Sequence, residues 1–241
     1  MAPARILRNF ITLAAMLLVA SPAYADSQLT PHQAEYKIKI SVFGGLLNTE
    51  LASTTDGYVA THRVKTTGMA HLIARGEIND SSTFDRVPSG IRPERFESND
   101  TLTRNKTQAS IHFDWTTGIA SGTVNNEAFQ SSMDEVAYDR VSIQYELMSD
   151  LMNGGPSKSY ILFDVDRLKT VEVSNIGRRT VKVPAGEFEA VGLQHQTIGS
   201  KRITTMWCVQ ELDYLPVIIE QHRKGDLIMR AVLSSYTPAT T

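Results

Sequence analysis

The residues with the clearest chemical potential are carboxylates and imidazoles. Asp164 and Asp166 stand two apart, so an extended strand puts both carboxylates on one face, an arrangement that suits a hard cation such as calcium. They also sit beside a turn, where Asp is common because its side chain bonds nearby backbone. The turn reading is the stronger one. The six histidines are His32, His62, His71, His112, His195 and His222. No two are spaced i,i+2 or i,i+4, the clustering a zinc site needs, so no metal is expected. There is no Gly-x-Ser-x-Gly elbow, no Walker loop and no dinucleotide-binding glycine pattern. The sequence therefore points to no catalytic residue and no cofactor. Glu77 and Asp114 are the carboxylates that a hydrolase acting on glycan or peptide would draw on.

A second kind of chemistry is apolar. The run 69–74 (MAHLIA) does not alternate and lies between Gly68 and Gly76, so it reads as a short helical turn or a flap. With the apolar side of a helix further on, it supplies a surplus: Met69, Leu72, Ile73, Tyr145, Met148 and Met152. Methionine-rich surfaces adapt to irregular partners, so these six are the candidate ligand-binding residues for a lipid chain or a peptide. The competing expectation is that they fill the concave side of a sheet as ordinary core.

The elements that must position these groups are mostly strands. Ala34, Tyr36, Ile38 and Ile40 alternate with Glu35, Lys37, Lys39 and Ser41, the period of a half-solvated antiparallel strand. Strands then follow at intervals of about 8 to 12 residues, with turns at Gly44-Gly45, Asp56-Gly57, Pro88-Ser89-Gly90, Thr116-Thr117-Gly118, Ile176-Gly177, Pro184-Ala185-Gly186 and Lys224-Gly225. One helix is expected over about 139–152, capped by Asp139 and stopped by Asn153-Gly154-Gly155-Pro156. About a dozen strands cannot stay flat, because each pair adds twist. The fold class is mainly β: a single curled antiparallel sheet, an open barrel or β-spiral, with the amphipathic helix on its concave side. No linker-like stretch divides it, so residues 26–241 are expected to form one domain.

The N-terminus carries an address. Arg5 and Arg8 precede an apolar run at 10–20 (FITLAAMLLVA), then Pro22 and Ala23-Tyr24-Ala25 before Asp26. This is the order of a secretory signal peptide cleaved after Ala25, and the run is well short of the ~20 residues that span a bilayer. Asp26 replaces the Cys that a lipid anchor requires. The expected product is a soluble periplasmic protein, not an integral membrane protein. A formal net charge of −2 excludes nucleic acid as an expected partner. The single Cys208, in the apolar run TMWCV, is expected to be a buried hydrophobe.

An order of motifs along the chain carries a resemblance. It runs Phe113-Asp114-Trp115, then Asp139-Arg140-Val141-Ser142-Ile143-Gln144-Tyr145-Glu146-Leu147, Val183-Pro184-Ala185-Gly186-Glu187-Phe188-Glu189-Ala190, Met206-Trp207 and Leu215-Pro216-Val217. In this it resembles bacterial domain-of-unknown-function family 3108, over a stretch from Glu35-Tyr36 to the last strand. The resemblance implies export and a curled antiparallel β fold, and no established activity or catalytic residues. The expected function is envelope support by non-catalytic binding of a protein partner or an apolar or lipid ligand. The alternative is a periplasmic hydrolase.

Overall fold

A computed structural model describes residues 28–41, 43–69, 71, 74–88, 90–164 and 167–239. Residues 1–27, which include the expected signal peptide, and Leu72, Ile73 and Asp166 lie outside them. The first half is a run of hairpins: β1 (His32–Ile40), β2 (Phe43–Ser53), β3 (Gly57–Thr66), β4 (Glu77–Val87), β5 (Gly90–Asp100), β6 (Thr107–Asp114), β7 (Ile119–Val124) and β8 (Glu127–Ser132). A two-residue strand β9 (Ala137–Tyr138) leads into helix α1 (Ser142–Met152). The second half is β10 (Ser159–Asp164), β11 (Arg167–Val183), β12 (Gly186–Thr197), β13 (Arg202–Val209), β14 (Leu215–Arg223) and β15 (Asp226–Pro238).

All fifteen strands among the described residues join one sheet in the order β8-β7-β6-β5-β4-β3-β2-β1-β15-β14-β13-β12-β11-β10-β9. The two halves meet where β1 pairs antiparallel with β15, His32 opposite Pro238. The sheet is left unclosed between β8 and β9. The β9–β10 pair is parallel, and a parallel pair needs a crossover, which α1 supplies. The helix packs back on β5 and β4. One contiguous core unites both halves, with Tyr36, Phe84, Phe96, Tyr145 and Phe163 among its largest fully buried side chains. Phe163 of β10 stacks on Phe129 of β8 at 5.5 Å and meets Phe113 of β6 edge-on at 5.9 Å. Aromatic contacts therefore cross the interior where hydrogen bonds do not. Cys208 is buried, and its thiol is pushed up to about 12 by that burial, so it behaves as an apolar residue.

Three local expectations need correction. Gly44 and Gly45 do not turn the chain; they lie within β2. A Cβ on Gly45 would stand 2.8 Å from the Lys65 carbonyl oxygen, so glycine there permits close strand approach, and Ser41 takes the positive φ of 54° beside the turn. Ile176-Gly177 is likewise no hairpin. It is a register shift inside the 17-residue β11, where the Asn175 side chain accepts from the Gly177 N–H at 2.8 Å. Finally, regular α-helix begins at Ser142 rather than at 139 or 140. Asp139 still caps this start from one turn upstream.

Candidate functional site

The helix enters the sheet through a buried polar network. Asp139 is fully buried, and its carboxylate accepts from Ser82 Oγ (2.6 Å), Ser142 Oγ (2.8 Å) and the N–H groups of Val141 (2.8 Å) and Ser142 (2.9 Å). The Asp139 N–H donates back to Ser142 Oγ at 3.0 Å. This is the reciprocal exchange of a capping box, with Ser in place of Glu or Gln. Next along the chain, Arg140 holds Asp80 with two bonds of 2.7 Å and donates to Ser98 Oγ at 2.6 Å, the bidentate geometry in which a guanidinium binds best. One turn into α1, Glu146 accepts from the Ile91 N–H at 2.8 Å. Gly90 has φ of 137°, and a Cβ there would lie 2.4 Å from Glu146 Oε2. Burial pushes the Glu146 carboxyl up to about 7. Such a shift can mark a general acid, but these bonds spend Glu146 on fastening α1 to β5.

Inside the curl, Tyr145 packs between two imidazoles. Ring centres are 6.5 Å from His32 and 6.3 Å from His62, and Phe84 lies 5.4 Å away. His32 Nδ1 lies 2.8 Å from the Thr30 carbonyl. A carbonyl only accepts, so Nδ1 carries the proton. Burial lowers the pKa of both rings, that of His62 to about 4, so both are neutral at pH 7. His32 Nε2, His62 Nε2 and Tyr145 Oη are buried without a hydrogen-bond partner among the described residues. A buried hydroxyl with no partner costs stability. Tyr145→Phe is therefore expected to stabilise the protein by about 1 kcal/mol, read as a higher midpoint in urea unfolding. A loss of that size would mean the hydroxyl is engaged.

The face of the sheet away from α1 carries a trough of about 660 Å³. Its position follows from register. On the helix side, Thr49, His62, Asp80 and Ser98 stand opposite one another across β2–β5. Side chains alternate faces along a strand, so the positions on either side of that row point outward. One outward row is Asn48, Arg63, Asn79, Asn99 and Gln108, paired in that order. The other includes Glu50, Thr61, Ser81, Glu97 and Ser110. At ~4.8 Å between strands, five positions span roughly 20 Å. Both walls are amide, hydroxyl and charged groups. Arg63 Nε donates to Asn79 Oδ1 at 2.8 Å and Ser110 Oγ to Glu97 at 3.0 Å, so part of the wall is pre-arranged. A second cleft of about 870 Å³ lies between the Gly154-Gly155-Pro156 loop and β10–β12. There, burial lowers the His195 pKa to about 4.

The structure treats the candidate ligand-binding residues unequally. Tyr145 and Met148 are fully buried in the core, and Met152 packs against it half-buried. Met69 is 75% exposed, so it is not joined with them. Asp164 pairs with Lys169. Among the described residues, no three or more His, Cys, Asp or Glu side chains are grouped to hold a metal ion, and no helix is long and apolar enough to cross a membrane. The trough has no motif in the sequence. Its only sequence signal is the polar outward positions of β2–β6, and their alignment depends on pairing that a linear reading does not contain.

The fold has a counterpart among solved structures. The crystal structure of a beta-barrel-like protein of domain of unknown function DUF1849 from Brucella abortus superposes with a TM-score of 0.61 at 14% identity, covering 89% of this chain and all of that one. At that identity the likeness concerns the fold alone. No curated protein matches the chain. The family model described as "Protein of unknown function (DUF3108)" matches residues 30–230. The order of motifs from Phe113 to Val217 falls inside that span, and the chain belongs to the DUF3108 family.

Proposed function

We propose that this is an exported, non-catalytic protein of the periplasm, which supports the cell envelope by holding a polar partner along the trough of β2–β6. The observation that carries this reading is the trough itself, some 660 Å³ walled by two registered rows of polar side chains. Export is supported by Arg5, Arg8, the apolar run and Ala23-Tyr24-Ala25. An apolar cargo is less well served, because Tyr145 and Met148 are already spent on the core.

The hydrolase alternative loses support at its two carboxylates. Glu77 accepts from Asn79 at 2.7 Å and pairs with Lys65 at 3.0 Å. Asp114 accepts from the N–H groups of Thr116 and Thr117. Hydrogen bonding to the charged form holds both pKa values below the ordinary carboxylate range. A carboxyl kept ionised has no proton to give a leaving group.

Titration calorimetry of residues 26–241 against soluble peptidoglycan fragments tests the reading. Binding is expected to fall at least tenfold in the double variant Arg63→Ala/Asn99→Ala, with melting temperature nearly unchanged because both side chains are exposed. Unaltered affinity in that variant, or no binding by the parent protein, would remove the trough as the functional surface.

A further inference from the structure

The large exposed hydrophobic residues are not scattered over the molecule. Ile40 and Phe43 flank the β1–β2 turn, Met69 lies in the β3–β4 connection, Leu227 follows the β14–β15 turn and Ile198 opens the β12–β13 turn. In sheet order these hairpins are neighbours: β4-β3, β2-β1, β15-β14, β13-β12. The antiparallel pairing puts all four turns on the same rim. Each tip therefore presents apolar side chains, and the tips stand roughly 10 Å apart, two strand spacings. Leu168 continues the line at the next hairpin; Val136 and Ile176 lie elsewhere.

The same tips are basic. Lys39, Lys201, Arg202, Arg223 and Lys224 are exposed on them. At the four tips the two carboxylates are compensated, with Glu77 tied to Lys65 at 3.0 Å and Asp226 opposite Arg223; at the β10–β11 hairpin, which also carries Asp166, Asp164 pairs with Lys169. The opposite rim is richer in acid, with Asp56 at the β2–β3 turn, Glu187 after the β11–β12 turn, and Glu211 and Asp213 between β13 and β14; of its basic residues beside Arg86, Arg92 faces Asp85 at 3.7 Å and Lys182 faces Glu187 at 3.8 Å. A chain with a net charge of only −2 is thus polarised end to end.

We infer that this basic rim is a docking surface for an anionic lipid membrane, which the protein meets end-on with its hairpin tips. Two features favour lipid over a protein partner. The hydrophobic residues are separated tip by tip rather than forming one contiguous patch, so each can enter the headgroup region independently. They are also surrounded by lysines, which protein–protein interfaces exclude from their cores and which anionic membranes attract. The trough lies on a sheet face and not on this rim, so a trough that binds nothing leaves this inference standing.

Vesicle co-sedimentation tests it, using residues 26–241, which contain every strand of the sheet and omit the apolar run at 10–20. The protein is expected to sediment with vesicles of phosphatidylcholine and phosphatidylglycerol in equal parts, to release as salt rises, and to ignore pure phosphatidylcholine. Each basic residue near a charged surface contributes roughly fivefold, so Lys201→Glu/Arg202→Glu should weaken binding at least tenfold. Phe43→Ser/Leu227→Ser should do the same without altering the charge. Melting curves check that both variants are folded; Lys224→Glu replaces the first, and Ile198→Ser the second, where one is not. No sedimentation with the anionic vesicles overturns the inference, as does binding that all rim variants retain. Binding to polyglutamate but not to vesicles would also overturn it, and would assign the rim to an acidic protein.

Discussion

Replacing Asp139 by alanine is expected to cost about 3–4 kcal/mol of folding stability, from a lost cap plus buried donors left unsatisfied. Four donors converge on this one carboxylate: two backbone N–H groups at the start of α1, and the hydroxyls of Ser82 and Ser142. The site is fully buried, so truncation admits no ready substitute acceptor. The loss also reaches beyond the helix. Ser82 lies on β4 and is fully buried itself, so its hydroxyl loses the partner that ties the sheet to α1. Asp139→Asn should fall between the parent and the alanine variant, because its amide oxygen still accepts from the two N–H groups while its NH₂ meets hydroxyls placed to donate. Urea unfolding of all three proteins, with the slope checked for constancy, measures the difference. A loss under 1 kcal/mol in the alanine variant would mean that the network is dispensable.

That network explains why the helix was legible and its first residue was not. Asp139 stands out as a cap by residue type, and it does cap; the turn between it and Ser142 is not regular α-helix, and no propensity encodes that. Strands with one polar face were equally legible, as in β1, where buried Ala34 and Tyr36 alternate with solvated neighbours. β8 and β9 were not. β8 is a six-residue edge strand whose side chains are exposed or half-buried, and β9 has two residues, too few to show a period. Glycines that serve close approach or a bulge, as at Gly45 and Gly177, carry no sequence mark that separates these uses from a turn. The trough and the basic rim fail for a shared reason. Both consist of residues that are distant in sequence and meet only through the pairing of β1 with β15 or the register of five strands. Phe43 and Phe84 are the same residue type, yet one is exposed on a tip and the other fully buried.

The pH dependence of stability should expose the second anchor of the helix. Glu146 is almost fully buried, and its folded pKa of about 7 lies above the ordinary value of 4.5. The folded state therefore holds this proton more tightly than the unfolded one. The resulting stability is fully present below pH 4.5 and is lost as pH rises through 7. His62 and His195 act in the opposite sense. Their folded pKa values of about 4 lie below the ordinary 6.5, so their contribution is present above pH 6.5 and is lost as pH falls towards 4. The parent protein should thus weaken on both sides of near-neutral pH. Glu146→Gln isolates the carboxyl, because glutamine is neutral at every pH and can still accept from the Ile91 N–H. Relative to the parent, the variant is expected to gain about 2–3 kcal/mol between pH 5 and pH 8, while the acid-side fall due to the histidines remains in both. Parallel urea titrations at those two pH values measure this gain. A parent–variant difference that stays flat across the window would show that the Glu146 carboxyl is ionised in the folded protein at pH 5, with Ile91 holding a charge and not a neutral acid.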